Sequence, residues 1–410
     1  MIDLTFVIFL LVMNISILAY GYMQAGNYFT QLYLLALLFV NWLIFSGYIA
    51  FGIFDDGLIF ISAANFICVF FVLLTSKVRH RQLSCELAPP QPSAFFWSVA
   101  FALLALFYLV QGIGGVNALF NSWVEIKDDL DGNNLLRNMA MFFYIIAVAS
   151  LRSALIREGF KVKLALPVIL IAMFVMAIRV KLFMLPLFLT LLLPRLEYKL
   201  NNKRILWAGI LFPLLYLSVM VFRWLGDLQN VGPDELLATV KDVLSAGVER
   251  EMYHQFHTVF EYFQVHSISF GASYQRLFLM PMDSILGTSF SPDNPMYSYY
   301  TIQNNGIFVE GGSAHPSLYG DSFASFSVAG IFIPGLIVLL LNWIFNTYRD
   351  EEYFSILFVG VMIFIGLVAR GAVFYAFLYL IFTFFVFLFF NFWGRYFLMA
   401  ISEKKYADDH

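Results

Sequence analysis

The sequence predicts an all-α, polytopic integral membrane protein, and three observations carry that reading. Of 410 residues, 61% are hydrophobic and only 12% are charged, a balance foreign to a soluble domain of this length. Apolar runs recur from end to end, many close to the roughly 20 residues that a helix needs to cross about 30 Å of hydrocarbon. Basic clusters and turn residues separate them. The net charge of −3 argues against a nucleic-acid partner. Two cysteines, Cys68 in an apolar run and Cys85 in a basic loop, suggest no disulfide framework. The first apolar run has neither a basic leader nor a clean small-residue cleavage site, so it reads as a retained span.

Taken in order, apolar runs fall near 4–22, 30–53, 58–76, 94–114, 135–156, 205–223, 327–347, 353–369 and 371–394. Two shorter runs, 164–178 and 182–195, meet at Arg179-Val180-Lys181. One continuous helix there would bury two cations near mid-bilayer, which is expensive. Basic residues flank both ends of the pair, so a hairpin fits better. The expectation is about 11 transmembrane helices, or 9 if 164–195 is only re-entrant. With the 77–93 loop inside, fifteen of the 24 Lys and Arg residues fall inside. The positive-inside rule then places the N-terminus outside and the C-terminus inside.

Four sections follow from these runs. Residues 1–223 form a first membrane bundle of about eight spans. Residues 224–326 form one large outer loop, 327–394 the last three spans, and 395–410 an inner tail. A loop of that length in a compact protein is functional or disordered, and this one is not disordered in composition. Leu236, Val240, Val243, Leu244, Val248, Met252, Phe256, Val259, Phe260 and Phe263 recur at three- and four-residue steps, an amphipathic helical pattern. A stretch rich in Gly, Pro, Asn and Tyr follows, with repeated turn signals.

The residues that could carry chemistry concentrate on the outer side. The stretch GGSAHPSLYGDSFASF, 311–326, sets His315, Tyr319 and Asp321 in a small polar loop against an apolar run. Histidine accepts a proton near neutral pH, and Asp321 could orient it. Asp321 has an equally simple reading as the N-cap of the next helix. Nine basic residues lie outside against the charge rule. Arg137, Arg179, Lys181, Arg223 and Arg370 sit at the outer ends of spans, and Arg276 stands in the apolar loop patch YQRLFLMPM. Singly, such arginines snorkel or pair with carboxylates. Collectively, they suit a phosphate or pyrophosphate headgroup, which arginine grips in bidentate fashion. An anionic-lipid structural site would suit them as well. His254, His257 and Glu261 share a helix face at metal-binding spacing. The same face would equally suit a wet interface, no further ligand is placed, and no metal or other cofactor is assigned.

Two segments, GASYQRLFLMPMDSILG and GGSAHPSLYGDSFASFSVAGIF, together with the outer-turn arginine of AIRVKLF, resemble the Wzy-type O-antigen and oligosaccharide repeat-unit polymerases. The resemblance is specific over 271–335 and loose over the whole chain. It leads one to expect glycine at position 327, where this chain has serine. It implies a GT-C-like fold in the bacterial inner membrane, with a periplasmic N-terminus and large loop and a cytoplasmic C-terminus. It also implies a glycosyltransferase that extends O-antigen, a part of lipopolysaccharide, from undecaprenyl-pyrophosphate-linked repeat units. His315 and Asp321 would then be catalytic. Arg276, Arg223, Arg179, Arg370 and Tyr319 would hold substrate. Membrane lipid, a chain-length regulator and a flippase would be partners. Two other readings stay open: an O-antigen ligase that uses lipid A core as acceptor, and a non-enzymatic transporter of lipid-linked oligosaccharide.

Overall fold

The computed structural model describes residues 2–51, 55–76, 94–120, 133–159, 161–178, 183–192, 221, 232–246, 250–267, 269–286, 288–304, 306–307, 314–351 and 353–408. Among these the protein is helical, with no strand, as apolar runs of membrane-spanning length lead one to expect. Seven helical segments are long and apolar enough to cross a membrane: 4–24, 28–51, 56–76, 94–112, 135–156, 317–348 and 373–392. Two shorter apolar helices cover 162–178 and 354–370. The predicted span at 205–223 lies almost wholly outside the described residues.

The chain divides into two compact units. The first comprises Met1–Leu83, Ala246–Thr347 and Phe364–Leu378. Its base is three apolar helices, α1 (Ile2–Gln24), α2 (Tyr28–Phe51) and α3 (Asp56–Ser76). Two turn residues fix how they join. Asn27 accepts the Thr30 amide at 3.0 Å to cap α2, and Asp55 accepts the Gly57 amide at 2.8 Å to cap α3. Apolar faces alone do not set helix register in lipid, where the surroundings are as apolar as leucine. Here buried amides set it. Asn14 of α1 donates to Ser62 at 2.7 Å, and Asn65 of α3 donates to Asn14 at 2.6 Å and to Asn41 of α2 at 3.0 Å.

The second unit comprises Ser84–Ser245, Tyr348–Ile363 and Tyr379–His410. It contains α4 (Ala94–Gly112), α5 (Asn134–Glu158), α6 (Ala165–Ile178), α7 (Met184–Leu192) and α8 (Pro233–Ala246). Aromatic stacking joins α4 to α5 through Phe101–Phe143 and Tyr108–Phe143, and α5 to α6 through Tyr144–Phe174. Helix α6 covers Ala165–Ile178 and α7 Met184–Leu192; the break expected at 179–181 lies outside the described residues. Arg152 of α5 is buried, donates to Ser355 at 2.7 Å and lies 4.5 Å from the Phe358 ring centroid. Hydrogen bonding and a ring face make a buried guanidinium tolerable.

The amphipathic pattern expected over 236–263 falls on two described helices, α8 and α9 (Arg250–Val265). In the first unit, α9 lays Met252, Phe256, Val259 and Phe260 inward. Tyr253 occupies the spot where a Cβ on Gly47 of α2 would sit, 2.2 Å from its ring. The chain continues through α10 (Ala272–Leu286), α11 (Pro295–Gln303) and α12 (Ser317–Phe326). Asn294 caps α11 with Pro295 at the first helical position. A 3-10 segment, Ser327–Phe332, leads into α13 (Ile333–Tyr348). Helices α14 (Phe354–Arg370) and α15 (Val373–Asp408) complete the chain.

The polar stretch at 311–326 corrects an expectation. From Ser317 onward it is helix α12, buried along almost its whole length, not a loop. Backbone N–H and C=O groups in a dry environment must pair, and a helix pairs them internally. Serine takes the left-handed region at both ends of α12, with φ 66° at Ser317 and φ 53° at Ser327. That region favours glycine, which accounts for the glycine expected at position 327.

Candidate functional site

Helices α9 to α12 and the start of α15 assemble the site within the first unit. Val259, Tyr299, Ala314 and Ala324 form a fully buried floor. Above it Asp321, on the second turn of α12, is wholly buried. Its Oδ1 accepts hydrogen bonds from Ser273 Oγ at 2.8 Å and Tyr299 Oη at 2.9 Å. Its Oδ2 has no hydrogen-bond partner among the described residues. Asp321 lies inside α12, and Phe326 caps the segment that follows, so Asp321 is not the N-cap of the next helix. Two phenols report the carboxylate's presence. Burial pushes the Tyr274 hydroxyl well above its ordinary pKa, and the Asp321 charge adds to that. Tyr299 is raised by burial and then by Asp321 in the same way. The Tyr274 hydroxyl is also buried with no hydrogen-bond partner among the described residues.

His315 stands just before α12, half-buried, and its backbone N–H donates to Gln255 Oε1 of α9 at 2.7 Å. The hydrogen bonds of Asp321 run to Ser273 and Tyr299, so the structure does not set Asp321 as the orienting partner of His315. Arg276 lies on α10 three residues beyond Ser273, on a neighbouring part of the same helix face. Its Nη1 donates to the Pro292 carbonyl at 2.5 Å, and its guanidinium lies 5.3 Å from the Phe374 ring centroid. Asn294 donates to the Tyr375 hydroxyl at 3.2 Å, fastening the same loop to α15. Arg370 comes to the site through its neighbour. A Cβ on Gly371, at φ 97°, would fall 2.6 Å from the Ser317 carbonyl oxygen, so only glycine lets the 370–371 turn abut the start of α12.

The structure therefore brings Ser273 and Tyr299 to Asp321, and sets His315, the helix of Arg276 and the turn after Arg370 against α12 or its neighbours. Arg179 and Arg223 lie outside the described residues. Tyr319 points elsewhere. It is fully buried, donates to Asn65 at 2.6 Å and accepts from Asn41 at 2.8 Å, deep among α2 and α3.

The His254–His257–Glu261 pattern is resolved differently from a metal site. The ring of His257 meets Asp55 Oδ2 at 2.6 Å, and Tyr48 donates to the same oxygen at 2.5 Å. Tyr253 stacks on the imidazole and Glu261 lies 3.5 Å from Nε2. No group of three His, Cys, Asp or Glu residues among the described ones could hold a metal ion. The hydrogen bond to Asp55 raises the His257 pKa, with burial opposing. Asp55, Ser273, Tyr274, Tyr299 and Gln255 did not enter the sequence reading as site residues. Their sole signal was proximity to stretches already singled out.

Chemically, the arrangement offers a buried carboxylate held by two hydroxyls, an imidazole just before the same helix, and a guanidinium on the helix that carries Ser273. No family model matches the chain, no curated protein matches it, and no solved structure matches it.

Proposed function

We propose that the protein extends a polysaccharide from lipid-pyrophosphate-linked repeat units at the outer face of a bacterial inner membrane, acting as a Wzy-type polymerase. The observation that carries the reading is the seating of Asp321 at the head of a membrane helix, with one oxygen held by Ser273 and Tyr299 and the other unpartnered among the described residues. Transfer of a glycan from a pyrophosphate carrier makes two demands. The acceptor hydroxyl loses its proton, and the departing pyrophosphate needs cationic stabilisation that strengthens as it leaves. Asp321 and His315 are the two groups able to take the proton. Arg276 and Arg370, with Arg179 and Arg223, suit the pyrophosphate.

Deletion of the gene followed by gel analysis of lipopolysaccharide or capsule tests this. A polymerase loss leaves single repeat units attached to the acceptor. Complete loss of attached glycan would overturn the reading in favour of a ligase. Reporter fusions test the orientation: those after Lys203 and Lys405 read cytoplasmic, and one near Asn305 reads periplasmic.

A further inference from the structure

Helix α10 has two unlike faces. Ser273 is nearly fully buried, whereas Phe278, Met282 and Leu286 are 73%, 49% and 61% exposed. These three recur at four-residue steps and so form a single stripe along the helix. Large aromatics continue it beyond both ends, with Phe270 at 70% and Phe290 at 69% exposure. An apolar stripe of this kind on a soluble surface marks an interaction site.

Where α10 sits says what covers the stripe. Its base is pinned to the end of α12 by backbone hydrogen bonds, Ser269 N–H to Ala324 at 2.8 Å and Gly271 N–H to Ser325 at 3.0 Å. The Phe326 ring lies 5.4 Å from Tyr274. Counting back from Tyr348, about 20 helical residues cover about 30 Å, which brings the hydrocarbon edge near Val328. The lipid-type surface Val328, Phe332 and Leu336 begins there, exposed at 66%, 49% and 48%. A second, independent mark agrees. Tyr274 contacts Phe377 at 6.0 Å and Arg276 contacts Phe374 at 5.3 Å, both in the first turns of the apolar segment 373–392. Helix α10 is thus fastened to the starts of two membrane segments, at one depth. Its single carboxylate, in the last turn, is satisfied locally: Asp283 accepts from Thr288 Oγ and from the Phe290 and Ser291 amides at 2.7–2.8 Å.

We propose that α10 is an interfacial helix whose Phe278–Met282–Leu286 stripe is seated in the bilayer boundary, its partner being the lipid surface itself. This follows from packing and exposure and does not rest on the polysaccharide reading. The side-chain order also gives it a consequence for the site. Ser273 and Arg276 lie away from the stripe, so Arg276 stands at headgroup depth beside the lipid.

The test uses the full chain reconstituted in phosphatidylethanolamine–phosphatidylglycerol vesicles. Single spin labels are placed by Phe278→Cys, Met282→Cys, Leu286→Cys and, as the aqueous control, Thr288→Cys, with Cys68 and Cys85 replaced by alanine. Collisions with oxygen should exceed those with a water-soluble nickel chelate several-fold at 278, 282 and 286, with the reverse at 288. Equal access of the chelate at all four positions overturns the proposal. So does spin–spin broadening at the three stripe positions, which would mean that a second copy of the chain covers them. The unsubstituted protein provides a reading that needs no folded variant. A photoactivatable lipid should tag the 272–286 peptide at Phe278, Met282 or Leu286, and absence of label on that peptide would equally sink the idea.

Discussion

Two buried polar clusters in the first unit make an instructive pair. In the Asn14–Asn41–Asn65–Tyr319 cluster every side-chain donor and acceptor is engaged. Asn65 donates to Asn14 and Asn41 and accepts from Tyr319; Asn14 also donates to Leu10 and Ser62; Asn41 also donates to Leu37. The Asp321 cluster, on the same short helix as Tyr319, is different. Asp321 Oδ2, the Tyr274 hydroxyl and Arg276 Nε are buried without a hydrogen-bond partner among the described residues. A closed network serves helix register, since each group already has what it needs. An open one keeps bonding capacity in hand and carries a functional-site hypothesis.

Substitutions can break this contrast, and the largest effect should come from the open cluster. Asp321→Asn keeps an acceptor for Ser273 and Tyr299 but cannot take a proton. Chain extension should fall by about 10²- to 10⁴-fold with little change in thermal stability, measured on purified protein and by gel. His315→Gln assayed beside it apportions the roles. Near-normal polymer from His315→Gln with inactive Asp321→Asn assigns the base to Asp321, and the reverse assigns it to His315. Arg276→Ala should cost about 10²- to 10³-fold, the usual loss for one group stabilising developing negative charge. Arg276→Lys should recover only part, because an ammonium lacks the planar fork.

The closed cluster should answer with stability rather than rate. Asn65→Ala removes three hydrogen bonds, each worth about 1 kcal/mol between membrane helices. Protein yield and melting temperature should drop while activity per folded molecule holds. Loss of activity at unchanged stability would refute the division between the clusters.

Two smaller effects sharpen the picture. The His257 pKa is raised in the folded protein by its hydrogen bond to Asp55, so its stabilisation is complete below the unfolded value of about 6.5. It is lost as pH climbs through the raised value. Melting temperature should therefore decline modestly as pH rises above about 6.5, and His257→Gln should flatten that decline. Ser327→Gly should raise stability by less than about 1 kcal/mol. Relief of a strained left-handed residue is partly offset by the greater freedom of glycine in the unfolded chain.

Much of the candidate site was legible residue by residue. His315, Asp321, Arg276 and Arg370 stood out because titratable groups are rare in an apolar chain, and the rarity itself drew attention to them. Their grouping was not legible. The turn after Arg370 meets α12 only because Gly371 permits contact with Ser317, and Ser273 and Tyr299 meet Asp321 from 48 and 22 residues away. Tyr319 illustrates the converse. Its place two residues before Asp321 suggested a shared role, yet successive helical residues point about 100° apart, so two residues on α12 face opposite surroundings.

By itself the sequence determined the membrane class, the helical character and most helix limits, because apolar length and turn residues act locally. The tertiary structure alone decided that the polar stretch is a buried helix, that His257 pairs with Asp55 rather than with His254, and that α10 turns its apolar stripe outward. Each of these depends on which distant surface a side chain meets, and the energy of burying a polar group is set by that partner rather than by the residue's neighbours in the chain.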